Sequence, residues 1–178
     1  MLLLQTDKDI VIRKRNKVMA EKDIKKVLRK LEYGVYVVSM GKGNEGNAFT
    51  ASWVVQVSSE PPMVMIAVNN KHQSIPILQE HGAFVVNLIG KDHESVAKRY
   101  YGPAESGYEK LKTAEVEESP ATKTPLISGM EGYLDCQIVD TVLAGNHTLF
   151  IGEVLAAEVS DPDVVIMTSY NSKLRYGG

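Results

Sequence analysis

The chain has 178 residues, enough for one domain with a full hydrophobic core and too few for two of ordinary size. Hydrophobic residues make up 44% and charged residues 24%, which excludes a disordered chain. The formal net charge of −2 lacks the basic excess of a nucleic-acid binder, and no apolar run approaches the roughly 20 residues that a membrane helix needs. Residues 1–20 read as an N-terminal extension carrying the short basic run 13–17, and Met19 is a second candidate start. The domain proper is expected over 21–178.

A helix is predicted over 21–33. Ile24, Val27, Leu28 and Leu31 recur at i, i+3, i+4, i+7, so one apolar stripe is expected to meet the core, and Gly34 ends the helix. The period then changes to that of strands. Strands are predicted over 35–40, 49–57 and 63–68, separated by the Gly/Asn loop 41–46 and by Pro61-Pro62. A short helix over 74–81 has Ser74 as its N-cap, a strand follows over 83–89, and a helix over 92–101 has Asp92 as its cap. Residues 102–127 form a polar excursion with three prolines, and strands resume over 132–142, 148–159 and 164–168. Six or more strands, with no alternation of strand and helix, predict a mainly β, antiparallel, Greek-key barrel flanked by helices.

Several motifs fail on their context. Gly41 to Gly46 spells GxGxxG, but a strand follows it where a dinucleotide fold needs a helix. No GxxxxGK[ST] loop and no CxxC pair exist, and the four histidines do not pair at helical ligand spacing, so no metal site is expected. Cys136, the one cysteine, sits inside a predicted strand and reads as a buried, inert thiol; it permits no internal disulfide and fits a cytoplasmic protein.

The segment from Gly46 through Asn47-Ala48-Phe49-Thr50-Ala51-Ser52-Trp53 to Pro61-Pro62 resembles the flavin reductase-like family, in which a small-polar strand ends at a double proline. Gly34 to Ser39 is similar to that family's first strand. Ala83-Phe84-Val85-Val86-Asn87-Leu88 is similar to its FxVN strand, and Asn146 to Val154 to its late G-[DN]-H-x-x-x-x-G-x-V strand. The order agrees over residues 21–176. The resemblance implies an FMN-binding split β-barrel, a homodimer, and hydride transfer from NADH or NADPH to the flavin. A carrier of electrons between redox proteins, for example with a separate rubredoxin, is the alternative reading.

FMN requires donors for its phosphate, amide-like partners for its ring edge and an apolar wall for its ring face. The loop with Asn69, Lys71, Gln73 and Ser74 offers charge, a hydroxyl and a helix N-terminus, and the resemblance makes it the phosphate loop. By the same resemblance Asn47, Ala48, Phe49, Thr50, Ser52 and Trp53 form the ring segment. Side chains alternate along a strand, so half of them are expected to face the ring. Trp53 has two destinations, the flavin or the dimer core. Asn87, an amide in an apolar strand, needs partners that either FMN or the fold can supply. His147 is the candidate catalytic residue, on the side where the nicotinamide docks.

Overall fold

The computed structural model describes residues 21–102, 107–112 and 114–174. The predicted extension 1–20, with its basic run, lies outside them. The chain separates into two compact units, and the boundary falls between Glu32 and Tyr33. The first contains α1 (Glu21–Leu28), which ends five residues earlier than the sequence predicts. Its expected core stripe is not buried: Ile24, Val27, Leu28 and Leu31 are all exposed.

The second unit begins with β1 (Tyr36–Met40), a single 3-10 turn at Gly43–Glu45, β2 (Asn47–Ala51), β3 (Val54–Ser59) and β4 (Pro62–Asn69). It continues with α2 (Ser74–His81), β5 (Ala83–Leu88), α3 (Glu94–Tyr100), α4 (Gly107–Lys112) and the hairpin of β6 (Val116–Glu118) and β7 (Pro125–Ile127). Two 13-residue strands close it, β8 (Gly132–Ala144) and β9 (His147–Val159), turning at Gly145 with φ +62°. The GxGxxG segment is indeed the connection of an antiparallel hairpin, β1 to β2.

All main strands join one antiparallel sheet in the order β2-β1-β5-β8-β9-β4-β3. β2 and β3 are therefore opposite edges, although only Ser52 and Trp53 separate them in the chain. The edges of a flat seven-stranded sheet stand roughly 29 Å apart, from six steps of about 4.8 Å. Three Cα steps of about 3.8 Å, from Ala51 to Val54, reach ~11 Å at most. The sheet must curl enough to bring the Ala51 end of β2 within that reach of the Val54 end of β3. The predicted single strand over 49–57 is thus two strands, broken where the roll closes.

Rolling gives each strand an inside and an outside. Val38, Met40, Phe49, Ile66, Phe84 and Phe150 fill the interior. Val37, Ala48, Ile89, Ala97, Tyr100 and Leu111 build a second core under α3 and α4. β1 and β5 are buried on both faces, which explains their unbroken apolar runs. Each fully buried Phe contributes about 1.5–3 kcal/mol. Gly152 of the late motif has a packing reason: a Cβ there would lie 2.7 Å from Phe84 Cζ and 2.9 Å from Cys136 Cβ. Cys136 is fully buried, and burial together with the neighbouring Asp135 carboxylate pushes its thiol up to about 12.

Two other expectations change. Residues 164–168 make isolated bridges rather than a strand. Their backbone groups alternate between two neighbours: Met167 accepts from Val35 N–H at 2.8 Å and donates to Ile89 O at 2.8 Å. Asp92 does not cap α3, whose cap position is His93; Glu94 in the first turn pairs with Lys98 at 2.7 Å instead. No described helix is long and apolar enough to cross a membrane.

Candidate functional site

A cavity of about 560 Å³ opens beside the connection from β2 to β3. β2 forms one wall with Asn47, Phe49, Thr50 and Ala51, followed by Ser52 and Trp53. Residues of both parities line it, although alternation predicts half. The reason is topological: β2 pairs only with β1, so its other edge faces the cavity and presents backbone N–H and C=O groups there. Thr50 is fixed by its hydroxyl, which donates to Ala97 O of α3 at 2.5 Å.

The opposite wall is the end of β4, with Ala67, Val68 and Asn69, and the loop residues Lys71, His72 and Gln73. Local hydrogen bonds set the loop's shape. Asn69 Oδ1 accepts the Lys71 N–H at 3.0 Å, an Asx turn, and Asn69 O accepts the His72 N–H at 2.8 Å. Asn70 ties the loop to the β8–β9 turn, with its N–H on Asn146 O at 3.0 Å and its Oδ1 accepting from the Thr148 hydroxyl at 2.8 Å. The far end is closed by Tyr100 at the end of α3, by Tyr101 and Gly102 after it, and by Lys110 of α4. The Lys110 ammonium donates to Tyr100 O at 3.1 Å and to Gly102 O, and its burial lowers its pKa.

Eight residues expected at the site line this cavity: Asn47, Phe49, Thr50, Ser52 and Trp53 from the β2 segment, and Asn69, Lys71 and Gln73 from the loop. Four do not. Ala48 is fully buried and packs into the second core. Ser74 is also fully buried; it does not cap α2, whose cap position is Gln73, and its hydroxyl accepts from Asn47 Nδ2 at 2.9 Å. It thus anchors the loop to β2 from behind. Asn87 is committed to the fold: its amide donates to Val37 O and Ser39 Oγ, both at 3.0 Å, and accepts the Ile127 N–H at 3.1 Å. Of the two suppliers open to this amide, the fold provides its partners. His147 is 5% exposed and stands behind Trp53, with ring centroids 4.6 Å apart. Its Nδ1 pairs with Asn146 Oδ1 at 2.8 Å, and burial lowers its pKa.

Sequence reasoning missed His72, Tyr100, Tyr101 and Lys110. His72 had a signal, since it sits inside the expected loop. The others arrive by tertiary packing of α3 and of the 102–127 excursion, which no local spacing announces.

The cavity suits a flavin. Its volume falls within the usual range of small-molecule sites, and Phe49, Ala51, Ala67 and Val68 give it apolar walls. The Ser52 hydroxyl is buried beside it and finds no hydrogen-bond partner among the described residues. The exposed edge of β2 adds amide-like groups, and Lys71 and Lys110 add positive charge. Among the described residues no cluster of His, Cys, Asp and Glu has the makings of a metal site.

The sequence profile of the Flavin reductase like domain matches residues 28–178. The flavin reductase (NADH) of Kitasatospora aureofaciens is 28% identical over 150 residues, which is 81% of this chain and 77% of that protein. The high molecular weight rubredoxin of Moorella thermoacetica is 29% identical over 136 residues, 75% of this chain and 59% of that protein. This chain spans only a quarter of a diflavin flavoprotein relative of Thermosynechococcus vestitus. Among solved structures, the NADH:FAD oxidoreductase of Streptomyces globisporus superposes with a TM-score of 0.74 at 28% identity, covering 85% of this chain and 92% of its own. A second structure of that oxidoreductase, in complex with NAD and FAD fragments, gives the same TM-score. With the rolled antiparallel sheet, the cavity at its closing edge and a profile match over most of its length, the chain belongs to the flavin reductase-like family and is an oxidoreductase.

Proposed function

We propose that this protein is an NAD(P)H-dependent flavin reductase that holds FMN in the cavity at the β2 edge. The buried Ser52 hydroxyl, placed between an apolar wall and an open strand edge, carries the reading. Flavin, when bound, would supply a two-electron acceptor for the hydride of a reduced nicotinamide. Everything else is the work of the chain. The edge of β2 and Ser52 meet the polar rim of the ring, and Phe49 and Trp53 exclude water from its face. Asn69, Lys71 and Gln73 hold the phosphate end. His147 reaches the cavity through Trp53, so its part is to hold the indole in place while the nicotinamide docks.

A homodimer completes the proposal. Val139, Val142 and Leu143 on β8 and Leu155 and Val159 on β9 are exposed apolar side chains on neighbouring strands, with Leu143 73% exposed. Exposed apolar side chains on these two long strands favour a second copy. The rubredoxin-named relative favours a second reading, an electron carrier that receives electrons from a separate redox protein.

Anaerobic stopped-flow mixing of the FMN-loaded protein with NADH or NADPH tests the proposal. Rapid bleaching of the flavin band is expected, and His147→Ala should slow it about tenfold while FMN affinity stays within about twofold. A flavin that bleaches only with dithionite or a reduced protein donor would select the carrier.

A further inference from the structure

An apolar stripe lies open on α1. Ile24, Val27, Leu28 and Leu31 are between 45% and 61% exposed. Helical bonding runs on past Leu28 and brings Leu31 into the stripe: the N–H groups of Arg29, Lys30 and Leu31 donate to the carbonyls of Lys25, Val27 and Leu28 at 3.1, 2.9 and 3.1 Å. At 3.6 residues per turn the four apolar side chains share an arc of roughly 100°. Lys25, Lys26, Arg29 and Lys30 occupy the rest of the circumference and are all exposed. Lys26 shares its charge with Asp23 at 3.2 Å. A helix shorter than about 12–15 residues is marginal in water by itself, so this one gains from a surface that takes up its stripe. The charge of the chain is also divided at this point. Residues 1–32 contain ten Lys and Arg against five Asp and Glu, whereas residues 33–178 contain ten against seventeen.

We propose that α1 docks on an anionic lipid bilayer. It lies in the plane of the interface, with Ile24, Val27, Leu28 and Leu31 toward the acyl chains and Arg29 and Lys30 among the headgroups. Two features select this partner together. A nucleic acid would meet the basic charge and leave the stripe in water. A neutral apolar groove would meet the stripe and leave the cations without counterparts. An anionic bilayer meets both, because the long Lys and Arg stems extend along the apolar boundary while their charged ends reach the phosphates. The acidic excess of residues 33–178 repels the rest of the chain from the same lipids, so the contact is confined to the basic N-terminal segment.

Sedimentation of the full chain with lipid vesicles tests the proposal. The vesicles are phosphatidylcholine alone, or an equal mixture of phosphatidylcholine and phosphatidylglycerol. At about 0.1 M salt the wild type should bind the mixed vesicles at least about tenfold more tightly than the neutral ones. The double variant Val27→Glu, Leu31→Glu puts carboxylates into the stripe and should weaken that binding about tenfold or more. Arg29→Gln with Lys30→Gln should weaken it about tenfold through charge alone. Both pairs of side chains are exposed, so the thermal unfolding of the variants should match that of the wild type. Raising the salt to about 1 M, where the screening length is about 3 Å, should release most of the bound wild type. A wild type that sediments with neither vesicle would overturn the proposal, as would binding that the glutamate variant leaves undiminished. A dimer that the glutamate variant dissociates, in a protein that ignores vesicles, would give the stripe to a second copy and overturn it too.

Discussion

A hydroxyl buried without a partner destabilises a fold by about 1–3 kcal/mol. Ser52 bears that cost beside the cavity, so its substitution should act in opposite directions on two observables. Ser52→Ala should raise the melting temperature of the flavin-free protein, because the stranded hydroxyl is gone. It should also weaken FMN binding about threefold to tenfold, because one hydrogen bond to the ligand is lost. Calorimetry of the flavin-free variant and a flavin titration check the two signs. At this scale the sequence spoke clearly wherever residue chemistry and backbone position coincide. Phe49, Thr50, Ser52, Trp53, Asn69 and Lys71 are at the cavity because one strand and the loop after β4 carry them. It misled where a polar side chain faces the fold instead. Asn87 and Ser74 are as polar as Asn47 and Asn69, but their hydrogen bonds hold β1, β7 and β2. A list of polar residues does not tell a ligand's partner from a strand's.

The elements were legible through their periods and breakers, and their joints were less so. The apolar runs of β1 and β5 and the turn at Gly145 follow from composition. The break between β2 and β3 does not, since Ala51-Ser52-Trp53-Val54 continues a strand-like pattern; only the closure of the sheet interrupts it. Residues 164–168 have strand composition, yet they bond to Val35 just before β1 and to Ile89 and Lys91 just after β5, without a full ladder to either strand. The glycine of the late motif shows how an element's sequence records its packing. Gly152 leaves room for the Phe84 ring and for Cys136, so an added Cβ forces a neighbour to shift in a core packed at crystal density. Gly152→Ala should destabilise the protein by about 1–3 kcal/mol. Urea unfolding measures it, and a substitution without effect would show that the Phe84 ring can move aside.

For the molecule as a whole, the class of fold was readable from many short strands and few helices, and the roll of the sheet follows from its order and a two-residue connection. The meeting of β2, the loop after β4 and Lys110 was not readable, because it joins three separate segments of the chain through packing alone. The exposed apolar side chains of β8 and β9 lead to an expectation at this scale: light scattering at micromolar concentration should give twice the chain mass of 19.6 kDa, and Leu143→Glu should shift it toward the monomer. A wild type that scatters as a monomer would contradict the dimer. The central claim is that the cavity at the closing edge of the sheet is the flavin site, and the chain carries its own reporter there, since Trp53 is the single tryptophan. Titration of the flavin-free protein with FMN, with excitation of the indole, tests it most directly. Strong, saturable quenching of Trp53 emission is expected, levelling off at one FMN per chain. Flavin that binds while Trp53 emission stays unchanged would place the flavin elsewhere and contradict the account.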